Sequence, residues 1–151
     1  MKLAEALQER ADLNRKIEEL RNRLMNNAVV QEGEKPLEEP TALLHELDDC
    51  IQRLIRLIAR INITNCNTKM DGRSLTEWIA EKDGLSIQVS NYRMLIQEAS
   101  DIARRASRTE IKLFSAVDVP SLQKKADDLS KRLRLLDNKL QENNWKTELE
   151  E

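Results

Sequence analysis

Between Leu43 and Ile61 the chain reads LLHELDDCIQRLIRLIARI, in which Leu44, Leu47, Ile51, Leu54, Ile58 and Ile61 recur at alternating steps of three and four. That rhythm marks the seam of a helix packed lengthwise against others. Leu43, Cys50, Ile55 and Leu57 widen the stripe, so more than one neighbour must cover it. The pattern predicts a central helix over about 41–66 with the flanking segments wrapped round it.

Three further stretches keep the same period. Over about 2–27, Leu3, Ile17 and Leu24 share one seam position, interrupted only by Arg10, and Ala6, Leu13 and Leu20 share the other. Ser74-Leu75-Thr76-Glu77 has the form of a capping box and opens a helix over about 74–106. Within it Trp78, Leu85, Tyr92, Ala99 and Ala106 recur every seven residues, as do Leu75, Val89, Ile96 and Ala103. Pro120 starts the last helix, about 120–143, where Leu122, Leu129 and Leu136 alternate with Ala126, Leu133 and Leu140.

Two stretches depart from that period. Residues 26–41 contain Gly33, Pro36 and Pro40, which exclude a helix interior, and the β-branched pair Val29-Val30 suits a short strand over 28–31. In RTEIKLFSAVDV, Ile111, Leu113, Val117 and Val119 alternate with other residues at a period of two, which predicts a strand over 110–118. A strand edge is costly to leave bare, so these two are expected to pair as a small β clasp. Asp71-Gly72 marks a turn. The expected fold is all-α: an antiparallel bundle of four long helices with a small two-stranded β clasp, forming a single domain over 1–151.

Composition agrees with long helices. The chain is 34% charged and 3% aromatic, with three glycines and three prolines. A net charge of −2 argues against a dedicated nucleic-acid coat. No apolar run approaches the roughly 18–20 residues needed to cross a bilayer, and MKLAEALQERADL lacks a signal-peptide core. The expectation is a cytoplasmic protein. Cys50 and Cys66 on one helix would lie about 24 Å apart along its axis, beyond disulfide reach.

Several segments together resemble the small bacterial septicolysin-like family: MKLAEAL, NNAVVQEGEKP, TKMDGRSLTEWIA, SRTEIKLFSAVDVPSLQKKADDL and NNWKTEL. The resemblance spans essentially the whole chain and implies a helical, oligomeric protein. The pore-forming activity in the family's name has no support here. The sequence lacks a signal-peptide core, a tryptophan-rich membrane-binding loop and a long β-rich body.

Candidate chemistry is sparse. His45 is the only histidine, and His45 with Asp49, one turn on, could share a metal. A di-iron bundle site uses Glu-x-x-His on two helices, whereas position 42 is Ala42. Glu98 with Asp101, and Asp127 with Asp128, could join Glu46 and Asp49 in a magnesium-dependent enzyme acting on nucleotides. Arg104, Arg105 and Arg108 form a basic cluster that suits either a helix C-terminus or a phosphate patch for nucleic acid. Lys124, Lys125, Lys131, Arg132 and Arg134 extend the charge along the last helix, but no aromatic stacking platform accompanies it. Trp145, in a polar tail, either folds back onto the bundle or contacts another subunit. The expectation is a structural or protein-interaction bundle that forms homo-oligomers, with no cofactor and no catalytic residue assigned. The alternatives are a divalent-metal-dependent bundle enzyme acting on nucleotides and a weak nucleic-acid binder.

Overall fold

The computed structural model describes residues 1–102 and 111–151. Four long helices dominate: α1 (Leu3–Asn26), α2 (Pro40–Asn67), α3 (Leu75–Ser100) and α4 (Val119–Lys146). A two-stranded antiparallel sheet joins α2 to α3, with β1 (Lys69–Met70) paired to β2 (Arg73–Ser74). The fold is all-α with a small β clasp, as expected, and the expected end of the third helix, near residue 106, lies outside the described residues.

The clasp is in a different place from the one expected. Residues 28–31 carry no strand, and Val29 is exposed beside a turn in which Glu34 N donates to Gln31 O at 3.0 Å. Gly33 takes a left-handed φ of 80° there. Residues 111–118 carry no strand either, and residue 110 lies outside the described residues. The pairing occurs instead across Asp71 and Gly72, whose φ values of 51° and 82° are the left-handed pair that closes a two-residue hairpin. The turn was legible in the sequence. Its two-residue arms were too short to carry a strand period.

The chain divides into two compact units, Met1–Ser74 with Asn143–Glu151, and Leu75–Glu142. In the first, α1 and α2 form an antiparallel helical hairpin. Leu3, Ala6, Leu13 and Leu20 of α1 are buried, as are Leu43, Cys50, Leu57 and Ile61 of α2. A ladder of ion pairs sets the register: Arg53 to Glu9 at 2.5 Å, Lys16 to Glu46 at 2.8 Å, and Arg23 to Glu38. As the α1 number rises the partner's number falls, from Arg53 and Glu46 on α2 to Glu38 just before it, which is the antiparallel order.

The long connection between α1 and α2 is tied down at its base. Arg23 meets Glu38 with both Nε, at 3.0 Å, and Nη2, a forked geometry that a lysine could not reproduce. Asn27 supports the same corner: its Oδ1 accepts from Glu38 N at 3.0 Å and its Nδ2 donates to Arg23 O at 2.9 Å. Pro40 then occupies the first turn of α2, where its missing N–H costs nothing.

The C-terminal residues complete this unit. Leu3 N donates to Thr147 O and Leu149 N donates to Met1 O, each at 2.9 Å. Leu149 is buried, Glu150 N donates to Thr64 Oγ1 at 3.0 Å, and Arg60 Nε donates to Glu150 O at 2.8 Å. Thr64 is itself wholly buried, with its hydroxyl hydrogen donated to Arg60 O. Sequence periodicity does not reveal this clasp, because its one apolar anchor sits alone in a polar tail.

The second unit is also an antiparallel helical pair. Leu85 and Val89 of α3 and Ala126, Leu136 and Leu140 of α4 are buried. Arg132 meets Glu81 at 2.8 Å, Lys82 meets Asp137 at 2.6 Å, and Arg93 reaches Ser130 Oγ at 3.1 Å. Lys125 lies over the Tyr92 ring, 5.3 Å from its centre. Burial thins toward the end of α3, where Tyr92, Ile96 and Ala99 are only half-buried.

Candidate functional site

The most distinctive surface lies on α2. A helix of this composition carries more apolar width than one neighbour can cover, and α1 takes only the side bearing Leu43, Cys50, Leu57 and Ile61. The side bearing Leu44, Leu47, Ile51, Ile55 and Ile58 is left half-buried or open. Leu44 is 47% exposed, Ile55 54% and Ile58 37%. Three of its five side chains, Leu44, Ile55 and Ile58, are therefore exposed. Single exposed aliphatics are ordinary, but a continuous row at helical spacing is the mark of a contact surface.

Charges on the same helix are segregated. Glu46, Asp48 and Asp49 lie in its first half, and Arg53, Arg56 and Arg60 in its second. Several are committed inside the unit. The Lys16 ammonium holds the Glu46 carboxyl below its usual range, and the Lys16 value rises in return. Arg53 is spent on Glu9 and Arg60 on Glu150 O. Arg53, Arg56 and Arg60 also line a shallow groove with Met1, Glu9 and Leu57.

The metal candidates come together only as a pair. His45 Nε2 stands 3.7 Å from Asp49 Oδ2, and both side chains are well exposed. Among the described residues no group of three or more His, Cys, Asp or Glu could hold a metal ion. Of the acidic residues considered for magnesium, Glu46 is paired with Lys16 and Asp127 accepts from Gln123 Nε2 at 3.0 Å. Asp128 is exposed on α4. Glu98 and Asp101 line a cavity at the end of α3 with Leu95, Phe114 and Val117.

Arg104, Arg105 and Arg108 lie outside the described residues. On α4, Arg132 and Lys125 are engaged with Glu81 and Tyr92. Trp145 is 62% exposed near the end of α4, while its neighbours Asn144 and Leu149 are buried. The tail therefore folds back through Leu149, leaving the indole outward. No described helix is long and apolar enough to cross a membrane.

Comparison with known proteins places this arrangement in a family. A family model described as a family of unknown function (DUF6847) matches residues 10–149. The chain is also similar to a functionally unknown conserved protein from Corynebacterium diphtheriae, known from its crystal structure. The two share 38% identity and superpose with a TM-score of 0.95, covering 99% of each chain. No curated protein matches. With nearly its whole length matched, the chain belongs to the family of unknown function DUF6847.

Proposed function

We propose that this protein is a structural or interaction module that self-assembles through its helices, a bacterial cytoplasmic bundle of the septicolysin-like kind. One observation carries the reading: the aliphatic row on α2 that α1 does not cover. Burying such a row stabilises by about 25 cal/mol per Å2 of apolar surface removed from water. Trp145, exposed in the same unit, is a second contact of the type enriched at interfaces. The septicolysin-like resemblance adds an oligomeric habit and no enzymatic step.

Light scattering over a hundredfold dilution series tests the reading. Self-assembly predicts a molar mass that exceeds the 17.5 kDa chain and falls toward it on dilution. A 17.5 kDa species at every concentration overturns it.

A further inference from the structure

We propose that the groove between α3 and α4 binds a small phosphomonoester, with its phosphate held by Arg93 and Arg134. The site is independent of the self-assembly reading and lies wholly within the second unit.

Two contacts between the helices bracket the groove. Lys82 of α3 meets Asp137 of α4 at 2.6 Å, and Arg93 Nη2 of α3 donates to Ser130 Oγ of α4 at 3.1 Å. On α4, Arg134 stands between Ser130 and Asp137, one turn from each. The space these side chains line is about 380 Å3, at the small end of the range for small-molecule sites.

Charge in the groove does not balance. Lys82, Arg93 and Arg134 face a single carboxylate, Asp137. That carboxylate is already committed, since a hydrogen bond from Lys82 holds it below its usual range. Arg93 and Arg134 are exposed, and neither meets a carboxylate among the described residues. Arg132, on the same helix as Arg134, is by contrast matched by Glu81. The excess positive charge therefore sits on two guanidiniums, whose planar forks fit phosphate oxygens in pairs.

Hydrogen-bonding character points the same way. Arg93 spends one N–H on Ser130, which orients the guanidinium and leaves its other donors to a ligand. Ser130 Oγ accepts that bond and keeps its own hydrogen to give. Ser86 lines the same groove, and neither serine hydrogen has an acceptor among the described residues. The uncommitted groups are thus donors, and a phosphate offers acceptors only. Val89 and Leu133 supply apolar lining for the carbon body that carries the phosphate. A nucleic-acid strand would instead call for aromatic stacking platforms, and the described lining of the groove holds no aromatic side chain.

The test is nuclear magnetic resonance on the full chain, titrated with phenyl phosphate. Phenol, and sodium chloride at matched ionic strength, are the controls. Phenyl phosphate is expected to shift the Nε–H signals of Arg93 and Arg134 saturably, and the controls are expected to leave them in place. Inorganic phosphate should act on the same two arginines but bind more weakly, because it leaves Val89 and Leu133 uncovered. Arg93→Gln and Arg134→Gln should each weaken phenyl phosphate binding roughly tenfold, whereas Arg56→Gln in the first unit should not change it. Circular dichroism establishes that each variant is folded. Absence of a saturable shift, the same shift with chloride, or an affinity unchanged in both groove variants overturns the site. Tighter binding of a single-stranded oligonucleotide, lost in the same two variants, overturns the small-ligand assignment and makes the groove a nucleic-acid contact.

Discussion

Lys2 Nζ lies 2.5 Å from Glu148 Oε1, and on either side of that pair two backbone hydrogen bonds join residues 1–3 to residues 147–149. The ion pair is exposed and adds little by itself. The anchor is Leu149, which the bridge lowers into the first unit. Leu149→Ala should therefore destabilise by about 2 kcal/mol, at the low end for a buried leucine because a tail can relax. Glu148→Gln should have a much smaller effect. Urea unfolding compares the two, and faster amide exchange at residues 147–150 in Leu149→Ala locates the damage.

Ionisation should matter mainly in acid. The carboxyls of Glu38, Glu46, Asp137 and Glu148 are all held below their usual values, chiefly by hydrogen bonds from Arg23, Lys16, Lys82 and Lys2 respectively. A carboxyl whose folded value is depressed contributes stability that is present above its unfolded value, about 4. It is lost as pH falls through the folded one. Lys16 and Arg23 are raised, so their contribution is lost only at strongly alkaline pH. Thermal melting should show a plateau from roughly pH 5 to 9 with a decline below it. Glu46→Gln should flatten that acid decline, and an unchanged slope would remove the Lys16–Glu46 pair from the account.

The hairpin makes a sharper demand on backbone geometry. Gly72 sits at φ 82° with open space where a Cβ would be added, so a side chain there meets strain and no clash. Gly72→Ala should cost about 1 kcal/mol. Asp71 at φ 51° is in a conformation that asparagine also tolerates, so Asp71→Asn should be close to neutral. A melting temperature that falls more for Asp71→Asn than for Gly72→Ala would contradict this reading of the turn.

Leu20 and Leu44 separate the core from the outer face. Leu20 is wholly buried on α1 and Leu44 half-exposed on α2. Leu20→Ala should lower stability by about 3 kcal/mol through the cavity it leaves. Leu44→Ala should change the intrinsic stability of the dilute chain by no more than about 0.5 kcal/mol, and act on association instead. Denaturation at low concentration and light scattering at high concentration divide the two effects.

The helices were legible because Leu13, Leu20, Leu57 and Ile61 repeat at a spacing that only a helix can bury on one side. The partners of short segments were not. Ile111, Leu113 and Val117 alternate convincingly, yet a period of two records a local preference and carries no information on what lies alongside. Conversely, Lys69–Met70 and Arg73–Ser74 pair because Asp71-Gly72 turns the chain back, with arms too short to show alternation. For the candidate surface, the sequence revealed the width of the α2 stripe and not which half would be covered. The ion pairs of Glu9, Lys16 and Arg23 decide that, since they turn the Leu43–Cys50–Leu57 side toward α1. His45 and Asp49 show the opposite case: helical spacing does bring them together, and the structure leaves the pair in solvent.

If the outer α2 face is buried between copies, as proposed, folding is coupled to association and the urea midpoint becomes a function of protein concentration. The direct measurement is that midpoint over a hundredfold concentration range, for the parent chain and for Ile55→Asp. The account predicts a midpoint that climbs with concentration in the parent and stays constant in the variant. A parent midpoint that does not move with concentration would contradict it.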